Sequence, residues 1–169
     1  MIVSRKEMLE IEEKSGLSSF ELINLVGKKL ATHLLPYLEV NSNILILSGN
    51  GNNGADSFVL ISNLKQFHIN LILVSGLPKN SDAMKLYKQV PSSIIQPLSS
   101  LDTCLKNCDV IIDGIFGFGY HGKRMKYVQY SNRYRMRKSQ SIVLISTLVQ
   151  NVILPCMIPS HYILQSHLH

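Results

Sequence analysis

Two glycine-rich segments hold the residues best placed to do chemistry. The first is Gly49-Asn50-Gly51-Asn52-Asn53-Gly54-Ala55-Asp56, which follows the apolar run Ile44-Leu45-Ile46-Leu47. It opens a stretch whose apolar residues recur at helical spacing: Phe58, Val59, Ile61 and Leu64. Strand, glycine-rich turn and helix together bind phosphates. The glycines let the backbone approach a ligand, and the helix N-terminus offers unpaired N–H groups and about half a positive charge. The spacing satisfies G-x-G-x-x-G, the dinucleotide-binding fingerprint. That fingerprint also requires an Asp or Glu about 20 residues further on, at the end of the second strand, to hold a ribose. The next apolar run, Asn70-Leu71-Ile72-Leu73-Val74, leads into Ser75-Gly76-Leu77-Pro78 with no acid. An ordinary dehydrogenase is therefore disfavoured, and the polar residues of the turn become the informative part. Asn and Asp also serve turns for purely local reasons, because they tolerate αL backbone and bond their own chain.

The second segment makes the first specific. In Asp109-Val110-Ile111-Ile112-Asp113-Gly114-Ile115-Phe116-Gly117-Phe118-Gly119-Tyr120-His121-Gly122, an apolar strand ends in Asp113 and passes into a loop rich in glycine. Carboxylates at the carboxyl ends of parallel strands face the ligand crevice of an open α/β sheet.

With both segments in this order, the chain resembles the N-terminal domain family of NAD(P)H-hydrate epimerases. That family carries G-x-G-N-N-G-[GA]-D after its first strand and [VI]-D-[AG]-[LIF]-F-G-x-G-x-x-G later. Glu7-Met8-Leu9-Glu10-Ile11-Glu12 and Gly16-Leu17-Ser18-Ser19-Phe20-Glu21-Leu22 resemble its opening helices, so the likeness covers roughly residues 2 to 122. It implies an isomerase that inverts the hydrated carbon of damaged NADH or NADPH, so that a partner dehydratase can repair either epimer. The resemblance assigns substrate binding to Asn52, Asn53, Gly54, Ala55 and Asp56, and to Gly117, Phe118, Gly119, Tyr120, His121, Gly122 and Lys123. It assigns a potassium ion to Asn53 and Asp113, and it implies a homodimer. A hard cation takes oxygen ligands, here an amide carbonyl and a carboxylate, and would sit near the diphosphate.

The chain also departs from that pattern. Where the family's first helix presents Leu-Met-Glu-Asn-Ala-Gly, this chain has Leu22-Ile23-Asn24-Leu25-Val26-Gly27. The family's later Asp-Ile-Pro-Ser-Gly, whose aspartate is the expected acid–base residue and whose serine is a further potassium ligand, is absent. No catalytic residue is assigned. Composition breaks at the same place. Residues 1 to 122 hold ten Lys or Arg against eleven Asp or Glu, whereas residues 123 to 169 hold seven Lys or Arg and no acid. All ten glycines lie at or before Gly122. A segment without Gly, Asp or Glu is far from average composition. A one-base slip of reading frame near codon 123 accounts for it. The frame starting one base earlier allows Ile-Asp-Ile-x-Ser-Gly from the Ser141–Val149 codons and Asp-Glu-Val near Arg124-Met125-Lys126. The alternative is a genuine basic tail on a non-catalytic nucleotide- or RNA-binding module of the same fold. Lys123, Arg124, Lys126 and Arg133–Lys138, interleaved with Tyr127, Tyr130 and Tyr134, would neutralise phosphates and stack on bases. A solvated charge run is the commoner meaning of such a stretch.

At 169 residues, 46% apolar and 17% charged, the chain is expected to form one globular domain of residues 1–169 with an aberrant tail from 123. No apolar run reaches the roughly 18 residues of a membrane span. The early residues lack a basic-then-apolar leader, which favours a cytoplasmic protein. Three cysteines, Cys104, Cys108 and Cys156, suggest reduced thiols, with burial favoured over zinc binding. The histidines are scattered, and none is assigned a catalytic role.

The elements that must position these residues read α-α-β-α-β-α-β. Helices are predicted over Arg5–Lys14 and Ser18–Leu35, the second with Leu22, Leu25, Val26, Leu30 and Leu34 inward, capped by Ser18 or Ser19 and stopped by Pro36. Strand Ile44–Leu47, helix Asp56–Phe67, strand Asn70–Val74, helix Ser81–Gln89 and strand Val110–Asp113 follow. Ile142-Val143-Leu144-Ile145 supplies a further strand in either frame. Such alternation makes a three-layer, Rossmann-like α/β sandwich with a mostly parallel sheet, incomplete at the C-terminus.

Overall fold

The structure, a computed structural model, describes residues 5–116 and 141–145. Helix α1 (Arg5–Lys14) leads into α2 (Ser19–Leu34). Ser18 starts α2 with a reciprocal cap: its hydroxyl accepts from the Glu21 N–H at 3.3 Å, and the Glu21 carboxylate accepts from the Ser18 N–H at 2.8 Å. A 3-10 turn over Leu35–Tyr37 holds Pro36 and ends the helix.

The buried face of α2 is Ile23, Gly27, Leu30, Ala31 and Leu34: of the stripe read from periodicity, Leu30 and Leu34 are buried and Val26 packs against the core, whereas Leu22 and Leu25 yield to Ile23, Gly27 and Ala31. The cause is Gly27. A Cβ there would fall 2.9 Å from the Asp56 carbonyl oxygen and closer still to the Val59 side chain. The glycine lets α2 lie tightly on the next helix, and that contact selects the inward face.

Among the described residues five strands form the sheet: β1 (Asn43–Ser48), β2 (His68–Leu73), β3 (Ile95–Gln96), β4 (Val110–Gly114) and β5 (Ser141–Leu144). Their order is β3-β2-β1-β4-β5, and every pairing is parallel. Helices α3 (Asn52–Asn63), α4 (Ser81–Tyr87) and α5 (Leu101–Asn107) make the crossovers. The chain runs outward from β1 to β3, then returns to place β4 on the other side of β1. Register is tied at the amino ends by Asp109, whose carboxylate accepts from the Asn43 backbone N–H at 2.8 Å, while its own N–H donates to the Asn43 carbonyl at 2.8 Å.

Side chains alternate across the strands as the pleat requires. Ile44, Ile46 and Ile112 join Leu30, Leu34, Phe58, Leu60 and Leu71 in one core under α2, α3 and α4. Leu45, Leu47 and Ile111 join Leu101, Leu105, Cys108 and Ile115 in another under α5. Burying each such aliphatic side chain contributes about 1.5–3 kcal/mol.

Helix α3 begins at Asn52, four residues before the predicted start, and ends at Asn63 rather than Phe67. Strand β2 likewise starts earlier than predicted, at His68, and α4 ends at Tyr87. Neither β3 nor α5 was anticipated. The Ile142 run does add a strand, as expected, at the open edge of β4.

Candidate functional site

The reversal of strand order between β1 and β4 opens a crevice at their carboxyl ends, where α/β sheets bind ligands. Register places Leu47 beside Asp113 and Ser48 beside Gly114, so both glycine-rich segments leave the sheet side by side. Gly49 donates its N–H to the Gly114 carbonyl at 3.1 Å. A side chain at Gly49 would run into the Ile115 carbonyl, and one at Gly54 would run into the Gly49 carbonyl and the Ser48 hydroxyl. These two glycines let β4 cross over the turn and α3 sit on β1. Gly51 differs: nothing lies within 4 Å of a Cβ built there. It is the N-cap of α3 and provides no side-chain cap, so the first-turn N–H groups face the crevice without one. The first and third glycines thus serve packing and the second leaves room for a ligand, the division of labour expected of a dinucleotide fingerprint.

Asn53 joins the two segments. Its side-chain amide donates to the Phe116 carbonyl at 3.0 Å, and its own carbonyl accepts from the Ser57 hydroxyl at 3.3 Å. Asp113 is buried, with 4% of its surface exposed, and its Oδ1 accepts from the Ile115 N–H at 3.0 Å. The two residues assigned to a cation by resemblance thus each bond the backbone of the strand-end segment 113–116, Asn53 at Phe116 and Asp113 at Ile115. Ile145 is fully buried, its Cδ1 3.1 Å from where a Cβ on Gly114 would lie.

The other assigned residues fall in two places. Asn52 is exposed, and its Oδ1 accepts from the Asn80 amide at 2.9 Å. Gly54 and Ala55 are buried in the contact of α3 with the sheet. Asp56 is buried at 7% exposure and lies within electrostatic reach of Glu12 on α1. Burial, reinforced by the Glu12 charge, pushes its carboxyl well above the usual carboxylate range. Glu12 is itself raised, by burial. Gly117 through Lys123, the basic stretches with their tyrosines, Cys156, His161, His167 and His169 lie outside the described residues.

Sequence reading missed a second wall of the crevice. The Asn50 amide donates to the Ser75 carbonyl at 3.1 Å, and the Lys79 N–H donates to the Asn50 carbonyl at 3.1 Å. Asn80 holds Asn52 from one side and caps α4 from the other, accepting from the Ala83 N–H at 2.7 Å. The cap was legible, since Asn precedes Ser81 and a helical run. Its second hydrogen bond joins residues 28 apart in sequence and leaves no local signal. Cys108 is buried and Cys104 half-buried, both as free thiols, and burial pushes the Cys104 thiol up. Among the described residues no three His, Cys, Asp or Glu side chains cluster as metal ligands, and no helix is long and apolar enough to cross a membrane.

Comparison with known proteins agrees with this geometry. The family model described as YjeF-related protein N-terminus matches residues 19–167. An NAD(P)H-hydrate epimerase of Caenorhabditis elegans is 32% identical over 124 residues, covering 70% of this chain and 52% of the relative. The one from Caenorhabditis briggsae is 31% identical over 112 residues, covering 66% and 47%. The chain thus spans about half the length of the curated relatives it matches. The crystal structure of yeast ynu0 superposes with a TM-score of 0.73 at 19% identity, covering 86% of this chain and 69% of that one, a likeness of fold.

Proposed function

The chain belongs to the YjeF-related N-terminal family, and from that membership we propose that its crevice is the site of an NAD(P)H-hydrate epimerase. The substrate is hydrated NADH or NADPH, bound with its diphosphate over the first turn of α3. One observation carries the reading: Asn53 bridges to Phe116 just beyond Asp113, which draws together the two motifs resembling those of epimerases. The α3 N-terminus supports it by offering N–H groups to an anion.

Asn53 and Asp113 would hold potassium. The donor set fits, since an amide oxygen, a carboxylate and the nearby Phe116 carbonyl are all hard oxygen ligands. Such an ion would offset diphosphate charge. The rest is work for the chain's own groups: α3 orients the diphosphate and the Asn53–Phe116 bond fixes the distance between the two walls. Epimerisation also needs a group that takes and returns a proton. In the family that group is an aspartate ending the strand after the second loop. Here β5 ends at Leu144, opposite Asp113, and the buried Ile145 follows. No acid occurs after residue 122. The chain as written therefore binds its dinucleotide with little or no turnover. A homodimer and a cytoplasmic location complete the proposal, the latter supported by the free Cys104 and Cys108 thiols.

The test is equilibrium titration of the full chain with NADPH in potassium and in sodium. Binding that is tighter in potassium, with the difference abolished by Asp113→Asn, is expected. Potassium-independent binding would remove the cation from the proposal, and no binding would refute the site.

A further inference from the structure

Resting on the dinucleotide reading above, we propose that the loop between β2 and α4 selects the 2′-phosphorylated form of the substrate, with the Lys79 ammonium as the specificity determinant. In an open α/β sheet whose diphosphate lies over the helix after β1, the adenosine ribose lies at the end of β2. An acid there reads the free 2′-hydroxyl and a cation there accepts the 2′-phosphate.

Here β2 ends at Leu73, and residues 74 to 80 contain no acid. They contain Lys79. Its backbone N–H is bonded to the Asn50 carbonyl in the glycine-rich turn, which places the residue beside the predicted diphosphate site. The loop is held on both flanks, by Asn50 on Ser75 and by Asn80 on Asn52, so the lysine stem rises from a fixed base. The side chain is exposed, and its ammonium forms no ion pair among the described residues. The nearest acid in sequence, Asp82, is taken by Lys85 at 3.3 Å. Leu77, 56% exposed in the same loop, offers an apolar surface of the kind an adenine ring covers. A lysine anchored at the backbone, unpaired at its tip and set where a ribose-reading acid is missing suits a phosphomonoester dianion. A lysine that merely solvates a loop would not discriminate between the two dinucleotides.

The experiment is calorimetric titration of the full chain with NADPH and with NADH, which share their adenosine ends with the hydrated substrates. The wild type is expected to bind NADPH about tenfold more tightly, the factor a charge-assisted contact supplies. Lys79→Ala is expected to bring the ratio of the two affinities close to one, and Lys79→Arg to retain it. Equal affinities in the wild type, or a ratio unchanged in Lys79→Ala while both affinities weaken, would overturn the proposal and leave the dinucleotide site standing. Binding of neither dinucleotide would overturn both.

Discussion

Gly54 and Gly51 belong to one motif yet differ in what a methyl group would meet. At Gly54 it collides with the Gly49 carbonyl and the Ser48 hydroxyl, both on the rigid end of β1; at Gly51 it meets nothing. Gly54→Ala is therefore expected to destabilise the fold by about 1–3 kcal/mol, the usual cost of overpacking. Gly51→Ala should cost less than about 1 kcal/mol, a cap effect, while still obstructing a ligand. Urea unfolding read beside NADPH titration separates the two: a lowered midpoint for Gly54→Ala, and weakened binding at near-native stability for Gly51→Ala. Equal stability losses would show that the open space over Gly51 is not the ligand's. At this scale the adjacency of the two glycine-rich segments was legible. Glycine spacing, Asn53 and Asp113 are local signals, and β4 brings them together because parallel pairing aligns strand ends. The links of Asn80 to Asn52 and of Ser75 and Lys79 to Asn50 were not legible, because these hydrogen bonds join two loops remote in sequence.

The charge of Glu12 on α1 acts on the buried Asp56 of α3, an arrangement that ties stability to pH. Asp56 is held above its ordinary range by burial first and by Glu12 second. The unfolded chain releases the Asp proton near pH ~3.9. The folded chain keeps it to higher pH. The stabilisation from this group is therefore complete below about pH 4 and is lost as pH rises towards the folded value. Glu12 moves in the same direction. Asp56→Asn should flatten this decline and leave the protein more stable at pH 7, by roughly 1–3 kcal/mol on the scale of a poorly compensated buried polar group. Chemical denaturation at several pH values checks it; a variant less stable than wild type at pH 7 would mean that ionised Asp56 is a structural ligand. The elements themselves were readable where they are long or strongly patterned. Helix α1 and strand β1 come close to their predicted bounds, whereas β3 has two residues and α5 has seven, too few for a period to emerge. The start of α3 was placed late because Asn52, Asn53 and Gly54 read as turn residues. Their helical backbone is held by packing on β1 instead.

The whole molecule poses a sharper question, because its sheet continues past the last acid in its sequence. The family match runs to residue 167, and β5 extends the parallel sheet beside β4. Yet the segment that supplies this strand has no Asp or Glu. A strand needs only an apolar run in extended backbone, which an alternative frame preserves. A catalytic carboxylate needs one particular codon, which it does not. A strand β5 without an acid is what a one-base slip would leave. Two measurements bear on it. The purified chain, given the R epimer of NADPH hydrate, is expected to show little or no conversion; turnover near that of an intact relative would refute the requirement for the missing aspartate. The genomic and transcript sequence across codons 115 to 150 is expected to contain a one-base slip near codon 123, downstream of which the neighbouring frame reads Asp-Ile-x-Ser-Gly. An intact frame would instead make the basic segment a true feature of a dinucleotide-binding chain that has given up its chemistry. Its affinity for NADPH should then survive deletion of every residue after β5.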